Sequence, residues 1–190
     1  MGRGVILVRH ALPEVVPGLS SKLWVLGESA KEDCVLLAHA LPPDLAPILV
    51  ASGVPKANET AMVLALRLGL TVESDPRVAE VDQPTTWFEG DYRAVAAEYL
   101  RGSNPHAWEP HHGVVARFAA AVEERLGTLL TGDLVVVNHG LAMSLYLASR
   151  AAVDLVPFWE ALTFPDAWRL DLESGELSHL FHAGLPPPDG

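Results

Sequence analysis

Three short runs of apolar residues recur along the chain, each followed by polar or turn-forming residues. They cover residues 5–8, 48–51 and 134–137 and are rich in Val, Leu and Ile. Because none of them alternates apolar with polar positions, each predicts a strand that is buried on both faces, as in parallel sheets. A further short strand is predicted at residues 71–73.

Between these strands, apolar residues recur three or four positions apart, which is typical of helices that cover a sheet. The predicted helices span residues 28–41, 56–68, 91–100, 115–130 and about 140–150. Pro42-Pro43 ends the first of them, and Gly69 suits the C-terminus of the second. Residues 156–159 are interpreted as core packing rather than as a binding motif.

The end of the chain predicts a closing hairpin. Residues 168–172 and 177–181 flank Ser174-Gly175. Since strands alternate with helices, we expect an α/β fold: a single-domain three-layer α/β/α sandwich whose mostly parallel sheet has an antiparallel edge. The domain is predicted to span residues 1–185, and the proline-rich residues 186–190 are predicted to be a flexible tail.

Charge and composition narrow the possible partners. Lys and Arg number 13 against 24 Asp and Glu, a formal net charge of -11, which argues against general binding of nucleic acid or of an anionic membrane. The single cysteine, Cys34, excludes an internal disulfide. No apolar stretch reaches the roughly 18 residues of a membrane span, so we expect a cytoplasmic protein. A small anionic substrate requires a local cluster of cations.

Histidines follow two of the predicted buried strands directly. Arg9-His10 follows the first strand, and His139-Gly140 follows the strand at 134–137. Ligands of open α/β sheets bind outside the carboxyl ends of the strands, and a helix N-terminus at Gly140 favours an anion. Each histidine alone is as readily a structural loop residue, but the pair indicates a phosphate-handling site.

Four stretches together resemble the histidine phosphatase superfamily, which includes cofactor-dependent phosphoglycerate mutases and many small phosphatases. They are Leu-Val-Arg-His-Ala at 7–11, Ala-Ser-Gly-Val-Pro-Lys-Ala-Asn-Glu-Thr-Ala at 51–61, Val-Ala-Glu-Val-Asp at 78–82 and Val-Val-Val-Asn-His-Gly at 135–140. The resemblance implies a phosphoglycerate mutase-like fold. It also implies a phosphoric monoester hydrolase that acts on a small phosphorylated substrate through a phosphohistidine, with neither metal nor cofactor.

The resemblance implies a role for each matching residue. His10 is the expected nucleophile, and Arg9 is expected to hold phosphate oxygens. His139 is expected to lie across the pocket and donate to the phosphate, with Gly140 beside it. Glu80 is expected to protonate the leaving oxygen and then help to activate water. Lys56 stands where the superfamily usually has Arg, and it is expected to bind phosphate.

Three departures from the superfamily pattern leave a second function open. Ala11 replaces the usual Gly, residues 12–16 lack the usual Thr or Glu and Asn, and Lys56 loses the two-pronged grip of a guanidinium. These departures motivate a catalytically weak phosphate-binding or regulatory homologue. A phosphoglycerate mutase is less favoured, since mutases of this family usually carry additional segments.

Several other residues keep alternatives open. Asp82, Glu89 and Asp91 are further candidates for the proton donor beside Glu80. His111-His112 suggests a metal site, but adjacent residues point apart on a helix, so a solvated loop is favoured there and likewise for His106 and His179. A zinc hydrolase is therefore the least favoured function.

The loops at 12–27, 82–92 and 102–113 are expected to set specificity. Trp24, Trp87 and Trp108 lie in these loops and are candidates for an apolar wall, although each is equally compatible with burial in the core. The pKa of the proton donor is expected to be raised by burial beside Trp87 or Phe88. Neither the substrate nor the oligomeric state can be inferred from these patterns.

Overall fold

The computed structural model describes residues 3–84, 88–104 and 106–184. Within these ranges the strands are β1 (Gly4–Arg9), β2 (Leu45–Ala51), β3 (Thr71–Ser74), β4 (Asp133–Asn138), β5 (Asp166–Asp171) and β6 (Leu177–His182). The helices are α1 (Ala30–Ala40), α2 (Pro55–Leu68), α3 (Tyr92–Leu100), α4 (His111–Thr128), α5 (Gly140–Ala148) and α6 (Leu155–Ala161). Short 3-10 helices lie at Ser21–Leu23 and Pro76–Val78.

The described strands form one sheet in the order β3-β2-β4-β1-β5-β6. Strands β3, β2, β4 and β1 are parallel, whereas β5 pairs antiparallel with β1, and β6 pairs antiparallel with β5. The predicted parallel sheet with an antiparallel edge is therefore confirmed. The hairpin extends the sheet beside β1, so the strand that carries Arg9 lies in its interior.

Successive side chains of the central strands pack into two separate cores. Val5 and Leu7 of β1 face the side covered by α3, α4, α5 and α6. Ile6 and Val8 face the opposite side, which is covered by α1 and α2. Because side chains alternate across a strand, an unbroken apolar run supplies both faces at once, and the α/β/α sandwich follows.

Several boundaries differ by a few residues from the sequence-based prediction, and one helix was not predicted. Helix α4 begins at His111 rather than at 115, because Pro110 restricts the preceding backbone and starts a helical turn there. Helix α6 was not predicted; it has only seven residues, too few for a periodic pattern, and Pro157 lies within it. Residues 186–190, predicted to be a tail, lie outside the described residues. No helix among the described residues is long and apolar enough to cross a membrane.

Candidate active site

The two histidines predicted from the strand ends meet at one edge of the sheet. Arg9 of β1 is in register with Asn138 of β4, and the His10 N–H donates to the Asn138 carbonyl at 3.0 Å. The ring centroids of His10 and His139 are 5.1 Å apart, with the rings nearly edge to face. Parallel pairing of β1 with β4 therefore brings together residues that are 129 positions apart in sequence.

A cavity of about 390 Å³ opens above these strand ends. All six predicted site residues line it: Arg9, His10, Lys56, Glu80, His139 and Gly140. Much of the remaining wall comes from the segment after β1, from the segment between Glu80 and α3, and from the segment before α4, and α3, α6 and the segment before β5 also contribute. The cavity therefore combines the predicted catalytic residues with the loops that were expected to set specificity.

His10 is held in the form that nucleophilic attack requires. Its Nδ1 lies 2.8 Å from the Ala11 carbonyl oxygen, and because a carbonyl only accepts, Nδ1 carries the proton and donates. Nε2 therefore keeps its lone pair. Burial lowers the pKa of His10 well below its ordinary value, and the nearby charge of Lys56 lowers it further. The imidazole is consequently neutral near pH 7.

Ala11 fits the backbone without strain. Among the described residues Ala107 is the one non-glycine with positive φ, so position 11 does not need the left-handed conformation that favours glycine. The Ala11 N–H donates to Thr60 Oγ1 at 3.0 Å, and the Thr60 hydroxyl donates to the Lys56 carbonyl at 2.8 Å. The buried Thr60 thus ties the end of β1 to the first turns of α2.

Arg9 is buried, with one edge of its guanidinium anchored. Nη1 donates to the Leu162 carbonyl at 2.9 Å, and Cζ lies 3.5 Å from the centroid of the Phe164 ring. Burial lowers the pKa of Arg9 to about 10, although the Glu80 carboxylate opposes this shift. Nε is buried with no hydrogen-bond partner among the described residues. A Cβ at Gly140 would lie 3.2 Å from Arg9 Nε, so glycine allows the guanidinium to approach the start of α5 closely.

Lys56 projects from the first turn of α2 into the same cavity. Its Nζ donates to the Ser21 carbonyl at 2.9 Å and lies 5.1 Å from the centroid of the Trp24 ring. Burial lowers the pKa of Lys56 to about 8, with a smaller contribution from the positive charge of Arg9. A substantial fraction of this ammonium is therefore neutral at mildly alkaline pH.

His139 precedes α5 and is 2% exposed. Its Nε2 lies 2.8 Å from Ser52 Oγ, which also accepts a hydrogen bond from the Val54 N–H at 3.4 Å. Burial lowers the pKa of His139 well below its ordinary value, and the charges of Lys56 and Arg9 add to the shift. The ring is neutral and is oriented by Ser52.

The Glu80 carboxylate caps the N-terminus of α5. One oxygen accepts from Ala142 N at 2.8 Å and from Val81 N at 3.0 Å, and the other accepts from Leu141 N at 3.2 Å. The expectation that the N–H groups of this helix are free for a bound anion is therefore corrected at Leu141 and Ala142. Their anionic partner is a side chain of the protein, which suits the positive end of the helix dipole.

The other acidic candidates lie outside the cavity wall. Asp82 is exposed and pairs with Lys22 at 2.8 Å, and Asp91 caps α3 by accepting from Ala94 N at 3.0 Å. Glu89 is exposed. Of the four carboxylates considered, Glu80 is the one that lines the cavity among the described residues.

Comparison with known families agrees with this geometry. The sequence profile of the histidine phosphatase superfamily (branch 1) matches residues 5–168, which include the whole of the predicted site. The chain belongs to the histidine phosphatase superfamily. The resemblance drawn from the four sequence stretches is confirmed. A comparison with curated protein sequences gave no significant match.

Solved structures similar to this histidine phosphatase superfamily member share its fold. A mycobacterial glucosyl-3-phosphoglycerate phosphatase in complex with VO3 is 20% identical, with 96% of this chain and 100% of that chain covered and a TM-score of 0.74. Bacillus stearothermophilus YhfR is 18% identical, with 93% and 95% covered and a TM-score of 0.73. A Bacillus anthracis phosphoglycerate mutase is 15% identical, with 96% and 94% covered and a TM-score of 0.65. The phosphoglycerate mutase-like fold is thus confirmed.

Sequence reasoning missed two cations of this superfamily member's cavity, Lys22 and Arg93. Arg93 lines the wall, and its guanidinium lies 5.6 Å from the centroid of the Trp159 ring. Its positive charge contributes to the lowered pKa of Arg9, so the two guanidinium groups are close. A signal was available: Arg93 lies three and four residues before Ala96 and Ala97, on the buried face of α3.

Sequence reasoning also missed Arg117, which holds the segment that carries Glu80. Nη1 donates to the carbonyls of Arg77 and Ala79 at 2.6 and 2.8 Å, and Nη2 donates to the Glu80 carbonyl at 2.9 Å. Nε and Nη2 each donate to the Glu109 carboxylate at 2.8 Å. All five N–H groups of Arg117 are therefore used. No local pattern signals this role, since the partners lie 37 to 40 residues away in sequence.

Three histidines that were expected in solvated loops, His111, His112 and His179, lie in regular secondary structure, whereas His106 is exposed and lies outside helices and strands, as expected. His111 begins α4, and its Nε2 lies 2.9 Å from the Tyr99 carbonyl oxygen. His179 lies on β6, where its Nε2 is 3.0 Å from Asp166 Oδ1 and its ring stacks on Trp168. His106 lines the cavity. Within the described ranges, no group of three or more His, Cys, Asp and Glu side chains is arranged to hold a metal ion.

Two of the three tryptophans considered for an apolar wall do line the cavity. They are Trp24 and Trp108. Trp87 lies outside the described residues, so its predicted contribution to the wall and to the environment of Glu80 stays a prediction. Pro13 and Val15 line the cavity where the superfamily usually places polar phosphate contacts.

Proposed function

We propose that the protein is a metal-independent phosphatase that hydrolyses phosphate monoesters through a phosphohistidine on His10. The observation that carries this proposal is the hydrogen bond from His10 Nδ1 to the Ala11 carbonyl. It leaves the Nε2 lone pair of a neutral imidazole in a cavity shared with Arg9, Lys56, His139 and Glu80. Membership of the superfamily supports the same activity.

The first chemical step transfers the phosphoryl group to His10. Nε2 attacks phosphorus as the bond from phosphorus to the alcohol oxygen breaks, and a protonated Glu80 gives its proton to the departing oxygen. Such proton donation contributes roughly 100- to 10 000-fold to a rate. Arg9 and Lys56 supply positive charge and His139 supplies a hydrogen-bond donor to the phosphoryl oxygens, where phosphoryl transfer needs stabilisation most.

The second step hydrolyses the phosphohistidine. Glu80, now ionised, takes a proton from a water molecule whose oxygen attacks phosphorus. The bond from phosphorus to Nε2 breaks and returns its electron pair to the ring. Inorganic phosphate leaves, and Glu80 is protonated again. Two successive phosphoryl transfers, to His10 and then to water, replace a single more difficult attack of water on the ester. The two steps use only the ester, water and side chains of the protein.

Trapping the covalent intermediate tests this proposal. Rapid quench of the enzyme in alkaline denaturant, after mixing with a phosphate monoester labelled in the phosphoryl group, should leave label on the protein that is stable in alkali and is lost on acidification. His10→Ala should abolish both label and turnover, whereas His112→Ala, an exposed histidine on α4, should retain them. Turnover that persists in His10→Ala would overturn the mechanism.

A catalytically weak phosphate-binding or regulatory homologue is the second candidate function. It is favoured by the ammonium of Lys56 in place of a guanidinium and by Pro13 and Val15 in the cavity wall. Phosphate-dependent thermal stabilisation without hydrolysis across a panel of monoesters would support it. A phosphoglycerate mutase is less favoured, although chain length does not separate the two, since the Bacillus anthracis mutase structure is 94% covered.

A further inference from the structure

Four rings form a continuous wall in the cavity, which we call the aromatic wall: Phe88, Tyr92, His106 and Trp108. Tyr92 stacks on Trp108 with centroids 5.9 Å apart and meets Phe88 edge-on at 5.9 Å. His106 lies 5.6 Å from Phe88 and 6.4 Å from Trp108. All four residues line the cavity, and their exposure rises from the buried Trp108 to the exposed His106.

The aromatic wall is held in place by hydrogen bonds that do not involve a ligand. Asn104 Nδ2 donates to the Trp108 carbonyl at 2.7 Å, and Trp108 N donates back to Asn104 Oδ1 at 2.8 Å. The Tyr92 hydroxyl accepts from Gln83 Nε2 at 3.1 Å. A wall that is already ordered costs little conformational entropy when a ligand packs against it.

The cations of the cavity lie elsewhere. The positive charges of Arg9 and Lys56 both lower the pKa of His10, so these two cations lie at the phosphate end of the cavity. The charge of Arg93 lowers the pKa of Arg9. Lys22 also lines the cavity, but it is paired with Asp82. None of the four residues of the aromatic wall is a Lys or Arg, so the wall itself offers no such cation to a second anionic group.

The cavity volume leaves room for a sizeable organic group. About 390 Å³ lies within the range of sites that bind whole organic ligands, and a phosphoryl group fills only a small part of it. Flat rings pack on aromatic walls by offset stacking or edge-to-face contact, which adds to the gain from burying apolar area. The volume and the aromatic lining of the cavity therefore favour an alcohol that carries a flat ring.

We propose that the substrate is a phosphate monoester whose alcohol carries a flat, uncharged aromatic or heteroaromatic ring, and that this ring packs on the aromatic wall. This inference rests on the proposed phosphatase function and adds the class of leaving group. The phosphoryl group is held by Arg9, Lys56 and His139, while the ring lies against Phe88, Tyr92, His106 and Trp108.

Two esters with leaving alcohols of similar basicity test this substrate class. Benzyl phosphate and methyl phosphate place the same demand on the chemical step, so the ratio of their kcat/KM values measures recognition of the ring. We expect benzyl phosphate to be favoured by about 10- to 100-fold. 3-Phosphoglycerate, whose alcohol is compact and charged, should be processed more slowly than benzyl phosphate. Equal or higher kcat/KM for methyl phosphate or 3-phosphoglycerate would overturn the proposal.

Variants connect the preference to the wall. Phe88→Ala should lower the benzyl-to-methyl ratio by about 5- to 10-fold. Phe158 of α6 is another half-buried phenylalanine; it contacts Trp168 of β5 and does not line the cavity. Phe158→Ala should therefore leave the ratio unchanged. An unchanged ratio in Phe88→Ala, or an equal decrease in both variants, would contradict a role for the wall.

A binding measurement separates failure of this proposal from failure of the phosphatase function. If neither ester is hydrolysed, the proposed function is wrong, and calorimetry with benzylphosphonate and methylphosphonate still tests the wall. Binding of benzylphosphonate that is at least 10-fold tighter, and weakened in Phe88→Ala, supports an aromatic ligand. Equal affinities for the two phosphonates overturn the inference.

Discussion

At the scale of single residues, Lys56 is the departure with the clearest consequence. Lys keeps a positive charge at the phosphate but presents one ammonium in place of a planar fork. That ammonium also donates to the Ser21 carbonyl and, because it is buried, has a pKa of about 8. The charge that should stabilise the phosphoryl oxygens is therefore lost at a pH where an arginine would keep it.

Lys56→Arg should extend activity into the alkaline range. The protonated form of Lys56 is the useful one, so kcat/KM should fall as the pH rises through about 8 in the parent protein. In Lys56→Arg this alkaline decrease should disappear below pH 9, and kcat/KM at pH 7 should rise by up to about 10-fold. The measurement is a pH profile of kcat/KM. Lys31→Arg, an exposed change on α1, is the control; a decrease near pH 8 that persists in Lys56→Arg would contradict the assignment.

At the scale of secondary-structure elements, α4 positions the segment that carries Glu80. Arg117 reaches from α4 to three backbone carbonyls of one short segment, those of Arg77, Ala79 and Glu80. Glu80 in turn caps α5, whose N-terminus follows His139. The orientation of the expected proton donor thus depends on two helices that are remote from it in sequence.

Arg117→Lys should impair proton donation more than phosphate binding. A lysine supplies three donors in place of five, so the Glu80 segment loses several anchors, and we expect a loss of about 2 kcal/mol in stability. kcat/KM, which reports the first phosphoryl transfer, should fall by 10-fold or more for benzyl phosphate, whose leaving group needs a proton, and much less for p-nitrophenyl phosphate, whose leaving group does not.

Steady-state kinetics with the two esters measures this difference. Arg150→Lys weakens an exposed ion pair with Glu123 and is the matched control, in which neither kcat/KM value should change appreciably. Equal losses of kcat/KM for both esters in Arg117→Lys would contradict misplacement of the proton donor and would indicate a general distortion of the site.

At the scale of the whole molecule, the active site carries buried neutral histidines at the centre of the fold. His10 and His139 are 4% and 2% exposed, and both have pKa values well below the ordinary value of 6.5. In the unfolded chain both histidines take up protons below about pH 6.5, whereas in the folded protein they stay neutral until a lower pH. The unfolded state then binds more protons, so stability must fall as the pH decreases.

The free energy of unfolding should therefore decrease as the pH falls from 7.5 to 5.5. Urea denaturation at a series of pH values measures this dependence. His10→Gln removes one of the two titrating groups and should give a shallower decrease, whereas His112→Gln, which changes an exposed histidine, should follow the parent protein. A decrease as steep in His10→Gln as in the parent would show that His10 does not contribute.

Much of the fold could be predicted because its signals are local. The apolar run at residues 5–8 contributes side chains to both cores, and Gly69 at the end of α2 adopts the left-handed conformation that its position requires. Most of the candidate site residues were accessible for the same reason, because they lie at strand ends or helix starts. Glu80 lies in neither place and was assigned through the resemblance of residues 78–82 to the superfamily. Helix α6 was missed because seven residues are too few to show a helical period.

The sequence by itself determined the layered α/β fold and the family, because apolar periodicity and short motifs are properties of neighbouring residues. The resemblance carried by those motifs also proposed the six residues expected to handle phosphate. Only the tertiary structure decided that the Glu80 carboxylate caps α5, that Arg117 anchors the segment carrying Glu80, and that Arg93 lines the cavity. The aromatic wall was likewise decided by the tertiary structure, because its rings come from the start of α3 and from the segments before and after that helix. These arrangements depend on how distant segments pack, so the spacing of residues within a single segment does not predict them.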